Sequence, residues 1–248
     1  MLCDAYLGAC EAVMRRIHRE EAAPITQAAE RVADAVAADR LVHVFGPGGH
    51  SNLAAQELFY RAGGLMHVSP ILDEGTLLSN GALRSTAMER LPGYGATVIE
   101  TAALGEGDLL LLVNAFGVNA AVIDAAVAAR GRGVFVIGFS SRSTAAAIPP
   151  SHRARHPSGA NLHDLVDIAI DTKVPDGDAA VSLNGVGTIG PVSTFANAFA
   201  LNALVLRTVA VLHARGHAPA VWRSRNAGAG DRNDAVLVEA MRARVPCL

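Results

Sequence analysis

An α/β fold with a parallel sheet covered by helices on both faces is what this sequence predicts, on three observations. Continuous apolar runs rich in β-branched residues recur at 41–45, 109–113, 134–139 and 166–170, with a weaker fifth at 66–72. Stretches of helical periodicity alternate with them, at 50–62, 118–130 and 188–215. The first apolar run ends in glycines, Gly46-Pro-Gly-Gly-His-Ser51, and passes straight into helical periodicity. Apolar strands without polar alternation are buried on both faces, and helices between them supply the crossovers of a parallel sheet.

Taken in order, Asp4 to Arg40 reads as two helices, since Ala, Leu, Met, Ile and Val recur at helical spacing and Pro24 falls where a second helix can start. The 46–51 turn presents backbone N–H groups to an anion or a polar ligand. Ligands of parallel sheets bind outside the carboxyl ends of the strands. Three loops therefore carry the expectation of a site: 46–51, 114–119 and 140–144. Longer loops at 149–159 and 226–233 have the length of lids or site walls. The whole chain reads as one domain, 1–248, with a helical pair (1–40), an α/β core (41–215) and a C-terminal loop and helix (216–248).

Composition narrows the class. A net charge of −2 gives no field that would favour nucleic acid or an anionic membrane. The only lysine is Lys173, so Schiff-base chemistry would have to run through that residue. Cys3, Cys10 and Cys247 have no metal-like spacing and read as free thiols of a reducing cytoplasm. No secretory leader opens the chain, and no apolar run reaches membrane-spanning length on this reading.

The chemistry-bearing residues begin at the glycine turn. A dinucleotide fingerprint would need a third glycine where Ser51 stands, and Asp73 lies late for a ribose-binding acid, so nicotinamide binding is not expected. No metal site is expected either. His50 opens a helix beside the turn, where it suits a ligand contact or a general acid. His152, His156 and His163 gather in and after a loop. Glu57 and Glu74 are the acids placed near strand ends, where a partly dry pocket would make one of them a base. Glu57 also stands four residues before Arg61, the spacing of an ordinary surface ion pair. Ser193 and Thr194 precede an alanine-rich helix and suit either capping or ligand contact.

Together these segments resemble the SIS (sugar isomerase) domain family, in particular its stand-alone bacterial branch of sugar and phosphoheptose isomerases. The resemblance is carried by Phe45-Gly-Pro-Gly-Gly-His-Ser51, Glu57-Leu-Phe-Tyr-Arg-Ala-Gly-Gly64, Pro70-Ile-Leu-Asp-Glu74, Leu91-Pro-Gly-Tyr94, Gly190-Pro-Val-Ser-Thr194 and the late Ser224, Asn226 and Asp231. It implies a five-stranded parallel sheet, assembly as a homodimer or homotetramer, and a small-molecule sugar or sugar phosphate as partner. It also implies cofactor-free aldose–ketose isomerisation through a cis-enediol. In that scheme Glu57 or Glu74 moves the proton, His50 or a loop histidine, His152 or His156, assists, and Gly48, Gly49, Ser51, Ser193 and Thr194 touch the sugar. A sugar-binding sensor without catalysis, or a lyase, are the alternatives on the same fold.

One loop departs from the family pattern. Where the family carries serines that bind phosphate, this chain has Asn114-Ala-Phe116-Gly117-Val-Asn119. The ring of Phe116 in place of a hydroxyl shrinks or dries such a pocket, which points to an unphosphorylated or atypical sugar. Ser140, Ser141 and Arg142 after the fourth strand offer a second anion site.

Overall fold

All four strong apolar runs, and the weaker fifth, become strands of one sheet. The structure is a computed structural model that describes residues 1–224, 226 and 235–248. Strands β1 (Val42–Phe45), β2 (Val68–Ile71), β3 (Leu109–Val113), β4 (Phe135–Ser140) and β5 (Ile168–Asp171) form a parallel sheet in the order β2-β1-β3-β4-β5. Period-two alternation distributes each strand between two cores. Leu109, Leu111 and Val113 of β3 face one apolar cluster, Leu110 and Leu112 the other.

The first cluster is closed by α1 (Leu2–Glu20), α2 (Ala22–Ala37), α3 (Asn52–Leu58) and α9 (Ser193–Ala214). The second is closed by α5 (Tyr94–Thr101) and α6 (Ala120–Gly131). Shorter helices α4 (Ala82–Glu89), α7 (Arg142–Ala147) and α8 (Leu162–Leu165) sit at strand ends. Contact between α5 and α6 depends on Gly95, where a Cβ would overlap the Ala121 carbonyl oxygen and crowd the Ala125 nitrogen. Gly95→Ala is expected to cost about 1–3 kcal/mol by forcing the helices apart, read as a fall in urea midpoint. An unchanged midpoint would mean that the two helices separate at no cost.

Several boundaries differ from the sequence reading, each for a local reason. The helix expected over 188–215 starts at Ser193, because Gly187–Pro191 (β7) pairs antiparallel with Ala179–Leu183 (β6) as a hairpin. The helix expected over 50–62 is only Asn52–Leu58, since Phe59 is extended and Tyr60 is left-handed (φ 50°). The expectation that no segment reaches membrane-spanning length needs correction. By length and composition α9 qualifies, yet Ala196, Ala200, Leu201, Leu204 and Leu212 are buried in the first core. Its apolarity belongs to a central helix packed against α1, α2 and α3.

Past α9 the chain returns along the segment before β2. Trp222 and Gly63–Gly64 exchange backbone hydrogen bonds, and Met66 N–H donates to the Ala220 carbonyl. Helix α10 (Ala235–Arg242) brings Met241 onto Met66 and Trp222. Asp231, one of the residues carrying the resemblance, lies outside the described residues.

Candidate ligand-binding site

Strand order reverses at β1: β2 lies on one side of it and β3 on the other, so the connections leave in opposite directions and a crevice opens beyond their carboxyl ends. The two loops facing that crevice are 46–51 and 114–119. Glycine is required at 46, where a Cβ would overlap the Ser51 carbonyl oxygen. Asn114 ties the loops together. Its Nδ2 donates to the Pro47 carbonyl (3.0 Å), and its Oδ1 accepts the Phe116 and Gly117 N–H groups (3.2 and 2.8 Å).

A carboxylate closes the crevice from a third direction. Glu89, the last residue of α4, lies against Gly48, where a Cβ would come within 3.0 Å of Oε1. Asn114 Nδ2 is 3.4 Å from the same oxygen. A chain of side chains holds α4 in place: Ser85 Oγ donates to the Thr76 carbonyl, Thr76 Oγ1 bonds to Asp73, and Asn52 Nδ2 donates to Thr76 Oγ1. Tyr94 donates to Asp73 as well (2.7 Å); burial and that carboxylate push its phenol up to about 12, so it stays a donor at neutral pH.

These groups enclose a cavity of about 300 Å³, at the lower end of the range for small-molecule sites. Leu78 and Phe116 supply apolar wall, exposed His50 a polar rim, and Ser51, Asp178 and Ser193 further polar lining. Asp178 is fully engaged: it accepts from the Val192 and Ser193 N–H groups and from Ser193 Oγ. Glu89 is not. Burial raises its carboxyl above the ordinary range, and the Asn114 hydrogen bond and nearby Arg90 only partly offset this. A half-buried carboxyl held in that way exchanges protons more readily near neutral pH than a solvated one.

Of the residues picked out from sequence, Gly48, Gly49, His50, Ser51, Asn114, Phe116 and Ser193 line this cavity. Others sit elsewhere. Glu57 pairs with Arg61 (3.0 Å), accepts from Asn202, and borders a separate groove with His50 and Thr194 between α3 and α9. The Glu74 side chain is exposed. His156 lies over α6, with Nε2 at 3.1 Å from Asp124 and Nδ1 at 2.7 Å from Ser158. Asn119 donates to the Ala154 carbonyl, and left-handed Gly117 packs under Ser140.

At the second anion site expected at 140–142, the Ser141 hydroxyl and the loop amides are engaged internally, whereas Arg142 is exposed. Ser141 Oγ donates to the Val174 carbonyl and accepts the Thr144 N–H, while the Arg142 N–H goes to Asp171. Lys173 is held by Glu21 (2.6 Å), Asp171 (3.0 Å) and Glu20 (3.3 Å). Burial alone would lower its ammonium; the Glu21 and Asp171 hydrogen bonds outweigh that and raise it, which leaves no neutral amine for Schiff-base chemistry. Among the described residues no group of His, Cys, Asp and Glu side chains is arranged to hold a metal ion. Sequence reasoning missed Glu89 and Asp178. The one available signal for Glu89 was its place three residues before the Pro92-Gly93 turn.

Comparison with known proteins agrees with this fold. The SIS domain family model matches residues 5–141, more than half of the chain. A UPF0309 protein of Halalkalibacterium halodurans is 32% identical over all 248 residues and 97% of its own length. Among solved structures, phosphoheptose isomerase from Neisseria gonorrhoeae superposes with a TM-score of 0.52 at 16% identity, over 86% of this chain and 95% of that one. The Vibrio vulnificus NanR protein, complexed with ManNAc-6P, does so with a TM-score of 0.50 at 15% identity, over 100% of this chain and 70% of NanR. At such identities the structures speak for the fold, whereas the family model and the full-length relative settle membership: this chain belongs to the SIS domain family, among the UPF0309 proteins.

Proposed function

We propose that the protein is a sugar isomerase that interconverts an aldose and a ketose without cofactor, with Glu89 as the proton-transferring group. The observation that carries this reading is a half-buried carboxyl of raised pKa facing a switch-point cavity between two glycine-bearing loops. Glu89 takes the proton from the carbon beside the carbonyl and returns it to the neighbouring carbon. The hydroxyl proton moves between the two oxygens of the enediol, and we assign its relay to His50, which lines the cavity. Atoms balance within one molecule, so product and substrate have equal mass. Glu57, by contrast, would have to leave both Arg61 and Asn202 to act.

The test is proton NMR in D₂O with matched panels of free aldoses and ketoses and their phosphates. Deuterium entering C1 or C2 of a sugar supports the isomerase. Binding without exchange supports a sugar sensor instead, a reading favoured by Asp178, the cavity's other acid, being engaged in three hydrogen bonds. The free thiols of Cys3, Cys10 and Cys247 support a reducing compartment such as the cytoplasm.

Assembly as a homodimer or homotetramer belongs to the same proposal. Leu206 is 71% exposed and Phe195 48% exposed on α9, beside an apolar groove against the α1–α2 turn. Apolar surface of this kind is usually covered by a partner. Leu206→Glu is expected to shift the protein toward monomer in light scattering after gel filtration. An unchanged mass would remove this face from the interface.

A further inference from the structure

Asn114 fills, with its own carboxamide, the cradle in which an anion would sit. Successive N–H groups at a turn that opens a helix form a concavity suited to phosphate. The 114–119 loop has that form, with Gly117 left-handed (φ 65°) and α6 following. Yet the Phe116 and Gly117 N–H groups both donate to Asn114 Oδ1. That oxygen is not free to swing out, because Nδ2 is fixed to the Pro47 carbonyl and the residue is only 2% exposed.

Two further helix starts, those of α9 and α7, are closed in the same manner. Asp178 holds the first amides of α9, and Ser141 and Asp171 those of α7. The cavity wall carries two carboxylates, Glu89 and Asp178, and no lysine or arginine among the described residues. A phosphate dianion entering here would have to expel a bonded amide oxygen and then sit beside like charge without a cation.

We infer that Asn114 sets the ligand class: it occupies the phosphate position, so the pocket takes an uncharged polyhydroxyl compound and rejects its phosphate ester. This rests on the reading of the cavity as a sugar site and narrows it.

Inorganic phosphate is the probe. The ¹⁵N-labelled full chain is titrated with phosphate while the Phe116 and Gly117 amide resonances are followed, and N114S and N114D are titrated by calorimetry. The wild-type resonances stay in place. N114S, which withdraws the oxygen and opens two N–H groups, gains phosphate affinity by about tenfold or more. N114D keeps an acceptor at that position, adds a charge and gains none. Saturable movement of both wild-type amides overturns the inference, as does a folded N114S that gains nothing. If circular dichroism shows N114S unfolded, the wild-type titration still decides. No sugar enters this experiment, so failure of the isomerase reading appears separately, as silence of the free-sugar panel in D₂O.

Discussion

Glu89→Gln is expected to lower isomerisation turnover by about 10²- to 10⁴-fold, the usual contribution of a positioned acid–base group, while sugar binding changes little. Gln keeps an oxygen that can accept from Asn114 and removes only the exchangeable proton. The same variant is expected to be more stable than the wild type by a few degrees of melting temperature at pH 8. Burial raises the folded-state pKa of Glu89, so the fold favours its protonated form. Stability relative to Gln is therefore lost as pH rises through that raised value. Below about pH 4.3, the ordinary glutamate value, the carboxyl is protonated in both folded and unfolded chains and the two proteins should melt alike. Thermal scans at both pH values, with deuterium exchange into the sugar as the rate, check the pair. Wild-type turnover in the variant would remove Glu89 from the chemistry. A stability gain that persisted unchanged at low pH would show that the carboxylate's burial is not its source.

Lys173→Met is expected to be the most destabilising single change outside the hydrophobic cores. It leaves the side chains of Glu21 and Asp171, each about nine-tenths buried, facing one another without their shared cation. Removing one partner of a buried ion pair typically costs about 3–5 kcal/mol, most of it the penalty of the charge left behind. These groups join α2 to β5: Glu21 Oε2 also accepts the Asp171 N–H at the sheet edge. Pairing the change with Glu21→Gln should recover part of the loss, because neutralising one orphaned carboxylate removes their repulsion. Denaturant titration of the single and double variants measures both. A single variant within about 1 kcal/mol of wild type would mean that water reaches the cluster freely. Since the folded-state Lys173 is raised above its unfolded value, its contribution is complete below about pH 10.4 and fades only as pH climbs beyond that.

The sheet was legible because its strands are buried on both faces and read as unbroken apolar runs. Leu109–Val113 is fully buried and matches its predicted bounds. The β6–β7 hairpin was not legible: Gly187 and Thr188 are exposed, Ile189 only partly buried, and the segment adjoins an apolar helix that absorbed it. Helix α4 escaped for a related reason, since among its residues only Ser85 is buried and no apolar stripe marks it. The two glycine-bearing loops of the site could be found from their position after apolar runs. Glu89 was marked only by its place before the Pro92-Gly93 turn, because its relation to Gly48 exists only once α4 folds across the crevice. Glu57 illustrates the converse: its spacing to Arg61 announced a surface pair, and the structure contains that pair.

The buried position of Lys173 also makes the chain its own reporter of opening. A lysine-specific endoproteinase has a single cleavable bond here, and its target side chain is sealed among three acids in the folded protein. Cutting can proceed only through molecules in which α2 has parted from β5, so the yield of two fragments over time counts those openings directly. Ligands that tighten the fold should slow the cut even if the reaction they undergo is unknown, which turns one peptide bond into a general assay for what this protein binds.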